Sequence, residues 1–268
     1  MSLSLKETLQ KYNIKPNKRL GQNFLINKGI LEKIIKTADL SKSDTVIEVG
    51  PGLGTLTLEL SKNTKKVIAI EKDKELVEAL KDTLKDYKNI DIIHNDALKI
   101  NLSLYKNYKL VANIPYYLTS SLIRRFLETD NPPQKLVLII QKEVAQRICS
   151  KPPRMSLLSV AVQFYAKPKI ISYISKNSFW PAPKVDSAII KITPYLSENF
   201  DLAKDDFFQI VKAGFSSPRK QLATNLSKKL QIDKEKIIKI LEQINLDPKI
   251  RAERLSVEDW KELSKKIT

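Results

Sequence analysis

Three of the six glycines fall within five positions, Gly50, Gly52 and Gly54, directly after an apolar, β-branched run at residues 45–49. Glycines at such a place let the backbone turn sharply and approach a ligand at the N-terminus of the next helix. The pattern Glu48-x-Gly50-x-Gly52-x-Gly54 differs from the Gly-x-Gly-x-x-Gly that cradles a dinucleotide pyrophosphate. Glu71 ends the next apolar run, about 20 residues on, where an acid can accept hydrogen bonds from both ribose hydroxyls. Asp96 closes the third run, placed to accept from the amino group of an adenine. A nucleoside with a charged sulfonium arm fits this set. Glu48 is open between bracing the loop and touching the ligand.

The fourth run ends in Asn113-Ile114-Pro115-Tyr116. An adenine amino group is a poor nucleophile because its lone pair is delocalised into the ring. Two acceptors gripping its N–H bonds restore density on nitrogen and aim it. The Asn113 side-chain oxygen and the Ile114 carbonyl, held by the fixed φ of Pro115, can act so, with Tyr116 as a stacking platform. A tight turn closing a strand would account for Asn-x-Pro alone; the glycine loop beside it favours chemistry. Phe179, on a proline-stiffened loop, could close over the other face of an extruded base. Its neighbour Trp180 reads better as a core anchor.

These residues need a sheet to position them. Apolar runs at 45–49, 66–70, 90–93, 109–112 and 136–140 alternate with helical spacings at 56–61, 74–85 and 120–127. That alternation predicts a parallel sheet with helices on both faces. A helical spacing at 30–38 precedes them, after a short helix and a basic loop. Residues 158–165 and 187–192 read as two further strands, an antiparallel pair at the sheet edge. From Asp205 onward the spacing is helical. The boundary is expected within 194–201, dividing the chain into 1–198 and 199–268.

At 268 residues with 42% hydrophobic and 29% charged residues, the chain suits an α/β domain with a smaller appendage. No apolar run approaches a membrane span, the N-terminus lacks a signal-peptide core, and one cysteine, Cys149, suits a reducing cytosol. A cytoplasmic location is expected. With a single histidine, His94, no His/Cys zinc site is expected, which excludes zinc-dependent deamination. The net charge of +17 is uneven: +5 over residues 1–30, +1 over 31–131, +8 over 132–193 and +3 thereafter. A near-neutral stretch beside a basic one favours a polyanion-facing surface over an evenly solvated one.

Together these residues resemble the small-subunit ribosomal RNA adenine dimethyltransferases. The resemblance runs through Leu20-Gly21-Gln22-Asn23-Phe24-Leu25, residues 48–54, Asn113-Ile114-Pro115-Tyr116, Gln141-Lys142-Glu143-Val144-Ala145 and residues 179–187. It continues into Phe215, Arg219-Lys220, Asn225-Leu226 and Arg251-Ala252-Glu253. It implies a Rossmann-like class I methyltransferase sheet, mostly parallel with an antiparallel edge hairpin, and a small C-terminal helical domain that docks RNA. It also implies S-adenosyl-L-methionine as cofactor, no metal, and N6-dimethylation of two adjacent adenosines in a small ribosomal subunit or its precursor by a monomer. By that likeness Asn23 and Leu25 join Gly50, Gly52, Gly54, Glu71, Asp96 and Asn113 at the cofactor. Pro218, where the family has an arginine, and the proline-rich stretch 151–157 depart from the pattern at positions suited to RNA docking.

Two related readings remain beside it. The macrolide-resistance group, which methylates large-subunit RNA, shares the Asn-Ile-Pro-Tyr signature; Arg251-Ala252-Glu253 and the Tyr116-Tyr117 pair lean against it. A DNA adenine methyltransferase would carry Pro-Pro in place of Ile-Pro and a separate target-recognition region. A non-catalytic RNA-binding assembly factor that kept the fold is a third reading, against which stand Gly50, Glu71, Asp96, Asn113 and Tyr116.

Overall fold

The apolar runs at 45–49, 66–70, 109–112 and 136–140 become strands because both of their faces are covered, so they need no polar alternation; the run at 90–93 forms the edge strand and is only partly covered. Val46, Ile47, Val67, Ala69, Leu110, Leu136 and Leu138 are all buried. The computed structural model describes residues 5–17, 20–195 and 204–268. Lys18 and Arg19 of the expected basic arm, and most of the expected boundary at 194–201, lie outside the described residues.

In chain order the elements are α1 (Leu5–Lys11), β1 (Phe24–Leu25), α2 (Lys28–Ala38), β2 (Thr45–Val49), α3 (Thr55–Asn63), β3 (Lys66–Glu71) and α4 (Lys74–Thr83). There follow β4 (Ile90–His94), β5 (Tyr108–Asn113), α5 (Thr119–Leu127), β6 (Lys135–Gln141), α6 (Lys142–Ile148) and α7 (Leu157–Tyr165). Last come β7 (Ala166–Ile174), β8 (Phe179–Trp180), β9 (Ser187–Pro194), α8 (Lys204–Gly214), α9 (Leu222–Leu230), α10 (Lys234–Gln243) and α11 (Val257–Ile267).

The main sheet runs β4-β3-β2-β5-β6-β9-β7. Strands β2 to β6 are mutually parallel, whereas β9 is antiparallel to β6, with Ser187 opposite Gln141. The chain leaves β2 for β3 and β4 on one side, then returns to β5 on the other. The switch of direction therefore lies between β2 and β5, and ligands of such sheets bind beyond the carboxyl ends there. Asp73 caps α4, its carboxylate accepting from Glu75 N at 3.0 Å. That cap starts the helix one residue pair after Glu71 and turns the chain away from the strand end.

Two expectations fail in one place. Residues 158–165 are not a strand but most of α7, and the strand beside β9 is β7, in the stretch read as a proline-bearing connection. Helix α7 begins at a capping box, in which Ser156 and Ser159 exchange side-chain-to-backbone hydrogen bonds of 2.6 and 3.2 Å. Ser159, Val160, Val162, Phe164 and Tyr165 are all buried, so this helix has no polar stripe to betray its period.

By its contacts the chain forms two compact units, residues 1–145 with 168–194 and residues 146–167 with 195–268. The helical unit thus also takes in residues 146–167, which the sequence division assigned to the sheet. Within it Met155 N donates to Glu253 O at 2.8 Å, and Phe164 stacks on Phe207 with ring centres 4.3 Å apart. Asn225, buried, ends α8 by donating from Nδ2 to Gly214 O at 2.6 Å and to Ser217 O at 3.0 Å. No described helix is long and apolar enough to cross a membrane.

Candidate active site

At the carboxyl ends of β2, β3 and β5 a cavity opens in the sheet unit. Gly50, Gly52 and Gly54 all hold positive φ, at 68°, 60° and 82°. The demand is clearest at Gly52, where an added Cβ would sit 3.0 Å from the Phe24 ring as well as forcing a strained backbone. Gly50 and Gly52 line the cavity. Gly54 does not; it caps α3 from behind, where an added Cβ would meet Leu80 at 3.1 Å and Leu84 at 3.3 Å.

Glu71, the last residue of β3, is almost fully buried. Its Oε1 accepts from the backbone N–H groups of Lys72 at 2.8 Å and Asp73 at 2.9 Å, and Oε2 accepts from Gly52 N at 3.3 Å. Burial raises its pKa, and these three donors pull it back. The carboxylate is thus tied to the glycine loop and fixed in place, with acceptor capacity left for a diol. Asp96 lies two residues beyond β4 rather than at its end. Lys72 Nζ donates to its Oδ2 at 2.9 Å and Leu98 N to its Oδ1 at 3.0 Å, and the Lys72 contact holds its pKa low. An ionised, acceptor-only carboxylate suits an amino donor.

Glu48, on β2, is sealed from solvent, and its Oε2 has no hydrogen-bond partner among the described residues. Burial first, and then the charge of Glu71, push its pKa up to about 8. The Thr57 hydroxyl opposes that shift without meeting ordinary hydrogen-bond geometry. Glu48 both lines the cavity and sits under the loop, so the two sequence readings of it are compatible.

Asn113 ends β5, and its Nδ2 donates to the Asn23 carbonyl at 2.9 Å. A carbonyl only accepts, so the amide is oriented without ambiguity and Oδ1 is the atom left for another donor. Ile114 N donates to Ile139 O at 3.2 Å, which anchors the next residue to β6. Pro115, at φ −53°, starts a single 3-10 turn over Tyr116–Leu118 that swings the Tyr116 ring to the cavity.

The segment that carries Asn23 and Leu25 lies across three of these strand ends. Gln22 Nε2 donates to Asp73 Oδ2 at 2.8 Å, Phe24 covers Gly52, and Gly21 packs on Pro115 and Tyr117. Strand β1 then pairs antiparallel with β8, placing Leu25 opposite Phe179 and Phe24 opposite Trp180. Trp180 packs against the cluster of Leu9, Ile14, Phe24, Leu76 and Ala79, as a core anchor should. Phe179 is 3% exposed and belongs to the core around Leu25, Ile174 and Ile189, yet it also lines the cavity. Asn23, Leu25, Gly50, Gly52, Glu71, Asp96, Asn113, Ile114, Pro115, Tyr116 and Phe179 therefore share one cavity; Gly54 alone of the expected site residues stands off it.

Sequence reasoning gave no role to Gln22, Ser187 or Tyr117. Ser187 Oγ lies 2.8 Å from the Tyr116 hydroxyl, and Tyr117 is 56% exposed at the rim. Both Gln22 and Ser187 lie inside the motifs that carry the resemblance, but only the fold reveals their partners.

Residues 13–268 match the family described as ribosomal RNA adenine dimethylase. The chain is 47% identical over 270 residues to a ribosomal RNA small subunit methyltransferase A of Clostridium botulinum strain Langeland, covering 98% of each. It is 46% identical over 263 residues to the protein of that name from Dehalococcoides mccartyi strain CBDB1, covering 96% of this chain and 90% of the relative. Among solved structures, a dimethyladenosine transferase from Plasmodium falciparum superposes with a TM-score of 0.79 at 28% identity, over 90% of this chain and 95% of that one. The 23S rRNA methyltransferase ErmE shares the fold, with a TM-score of 0.74 at 24% identity, over 91% and 99%. With its family signature spread over almost its whole length and its site residues gathered at the switch point of the sheet, this chain belongs to the ribosomal RNA adenine dimethylase family.

Proposed function

We propose that this protein transfers methyl groups from S-adenosyl-L-methionine to the N6 amino group of two adjacent adenosines in small-subunit ribosomal RNA. The observation that carries this reading is the Asn113 amide, turned by the Asn23 carbonyl so that Oδ1 is the atom free to grip an amine. S-adenosyl-L-methionine supplies an electrophilic methyl on a sulfonium. Glu71 would hold its ribose and Asp96 its adenine amino group, and the buried orphan oxygen of Glu48 would be an acceptor open to a cation; these acceptors fit the group.

On the target side, Asn113 Oδ1 and the Ile114 carbonyl accept the two amine hydrogens, and Tyr116 and Phe179 flank the base. When bound, the cofactor would supply its methyl to the nitrogen lone pair so held and leave as the neutral thioether, and the proton then released from nitrogen would pass to water, so no strong base is required of the chain. Holding both reactants in near-attack geometry supplies a large part of the rate. The acceptor bonds strengthen as positive charge develops on nitrogen, which is where binding energy lowers the barrier.

The helical unit and the exposed cations Lys176 and Lys184 of the sheet unit would meet the RNA phosphates. The substrate we infer is a small ribosomal subunit or its precursor, met by a monomer in the cytoplasm. The test is tritiated methyl transfer to isolated ribosomal subunits from cells lacking the modification, followed by nucleoside analysis. Dimethyladenosine in the small subunit alone, lost with Asn113→Ala at saturating cofactor, is the expected result. Label in the large subunit, or an Asn113→Ala variant with near-normal turnover, would overturn the reading.

A further inference from the structure

Ser187 is the first residue of β9 and is fully buried, followed by the buried run Ala188, Ile189 and Ile190. A hydroxyl in that setting is costly unless it is satisfied. An alanine would fill the same strand position without that demand. The side-chain partner of Ser187 among the described residues is the Tyr116 hydroxyl, 2.8 Å away. The start of β9 is itself fixed, since Lys142 N donates to Asp186 O at 3.0 Å and Lys176 N to Asp186 Oδ1 at 3.0 Å.

Tyr116 is held at its other end too. Leu118 N closes the 3-10 turn on Pro115 O at 2.9 Å, and Thr119 Oγ1 donates to Tyr116 O at 3.1 Å. The ring is therefore anchored through its backbone at one end and its hydroxyl at the other. A phenylalanine would offer the same stacking face with only the first anchor. Burial, and the nearby carboxylates of Asp186 and Glu143, disfavour the phenolate, so the Tyr116 hydroxyl stays protonated beside Ser187.

We propose that Ser187 is a positioning residue for the target base, its hydroxyl fixing the plane of the Tyr116 ring against which the adenine stacks. The inference rests on the reading of Tyr116 given under the proposed function. A fixed ring matters most in the second methyl transfer. The methylated amine has one hydrogen left to be gripped, so stacking carries more of the orientation then.

The test is a time course of mono- and dimethyladenosine by mass spectrometry in small subunits lacking the modification, at saturating S-adenosyl-L-methionine. The proteins are Ser187→Ala, Tyr116→Phe, the double variant and Tyr116→Ala, each with its cofactor Kd and melting temperature measured. Ser187→Ala should slow the second transfer about five-fold, the size expected from one net hydrogen bond, leaving cofactor Kd unchanged. Tyr116→Phe should match it, and the double variant should be no worse than either single one, because both remove the same bond. A purely structural serine would instead give effects that add, or that follow the melting temperature and cofactor affinity; either result overturns the proposal. A normal product ratio in Ser187→Ala, with Tyr116→Ala crippled, removes the role of Ser187 alone. Normal transfer by Tyr116→Ala removes the stacking role of Tyr116 and this inference with it.

Discussion

Glu48→Gln is the sharpest probe of the site's electrostatics, because it changes one atom of a sealed side chain. In the folded, ligand-free protein the Glu48 pKa is raised from 4.5 to about 8, by burial first and the Glu71 charge second. The folded state therefore holds this proton more tightly than the unfolded chain does. The stabilisation is complete below the unfolded value of 4.5 and is lost as pH climbs through about 8. At about 1.36 kcal/mol per pKa unit, the loss between roughly pH 5 and pH 9 comes to about 4 kcal/mol. Glutamine keeps the shape and cannot ionise, so the variant escapes that loss. Urea unfolding of both ligand-free proteins, followed by circular dichroism across this range, should show the variant gaining on the parent steadily as pH rises. Stability curves that run parallel, within about 1 kcal/mol, would mean that Glu48 is ionised or hydrated in the folded state. The electrostatic account of the loop would then be wrong.

Glu71→Ala, which removes the proposed ribose acceptor, should weaken S-adenosyl-L-methionine binding about ten-fold or more by calorimetric titration, as expected for charge-assisted bonds; Asp96→Ala should act in the same direction. Unchanged affinity in both would mean that the pocket is misassigned. Phe179→Ala should let monomethyladenosine accumulate, with the second transfer slowed by the loss of roughly 1–3 kcal/mol of stacking. Because Phe179 also belongs to the core, its melting temperature should fall as well, and a lower melting temperature with a normal product ratio would return it to a structural role. RNA affinity should drop with salt by about 0.7 in log K per neutralised phosphate per decade. Replacing Lys176 and Lys184 by glutamine should flatten that slope, whereas replacing Lys74 and Lys81 should not; equal effects would mark the charge as a solvated surface.

The sequence by itself determined the parallel core and most of the residues that its strand ends gather at one cavity. Strands β2, β3, β5 and β6 were legible because each is a short apolar run covered on both faces, and β4, partly exposed at the sheet edge, because its run is β-branched too; strand ends in such sheets are where polar side chains converge. Glu71 and Asn113 could thus be read from position alone, while Asn23 and Leu25 rested on the family likeness. Helix α7 was misread as a strand because it is apolar on nearly every side, which erases the period that distinguishes the two; its start depends on the Ser156–Ser159 cap rather than on apolar pattern. Strand β7 was hidden by Pro168 and an irregular burial pattern along its length. What only the tertiary structure decided were contacts between residues far apart in the chain. The two-residue pairing of β1 with β8 spans 154 and 156 positions, the Asn23 carbonyl on the Asn113 amide 90, and Ser187 on Tyr116 71. Each consists of one or a few hydrogen bonds with no local periodicity, so nothing in the neighbouring sequence records it; it exists because the sheet brings those strand ends together.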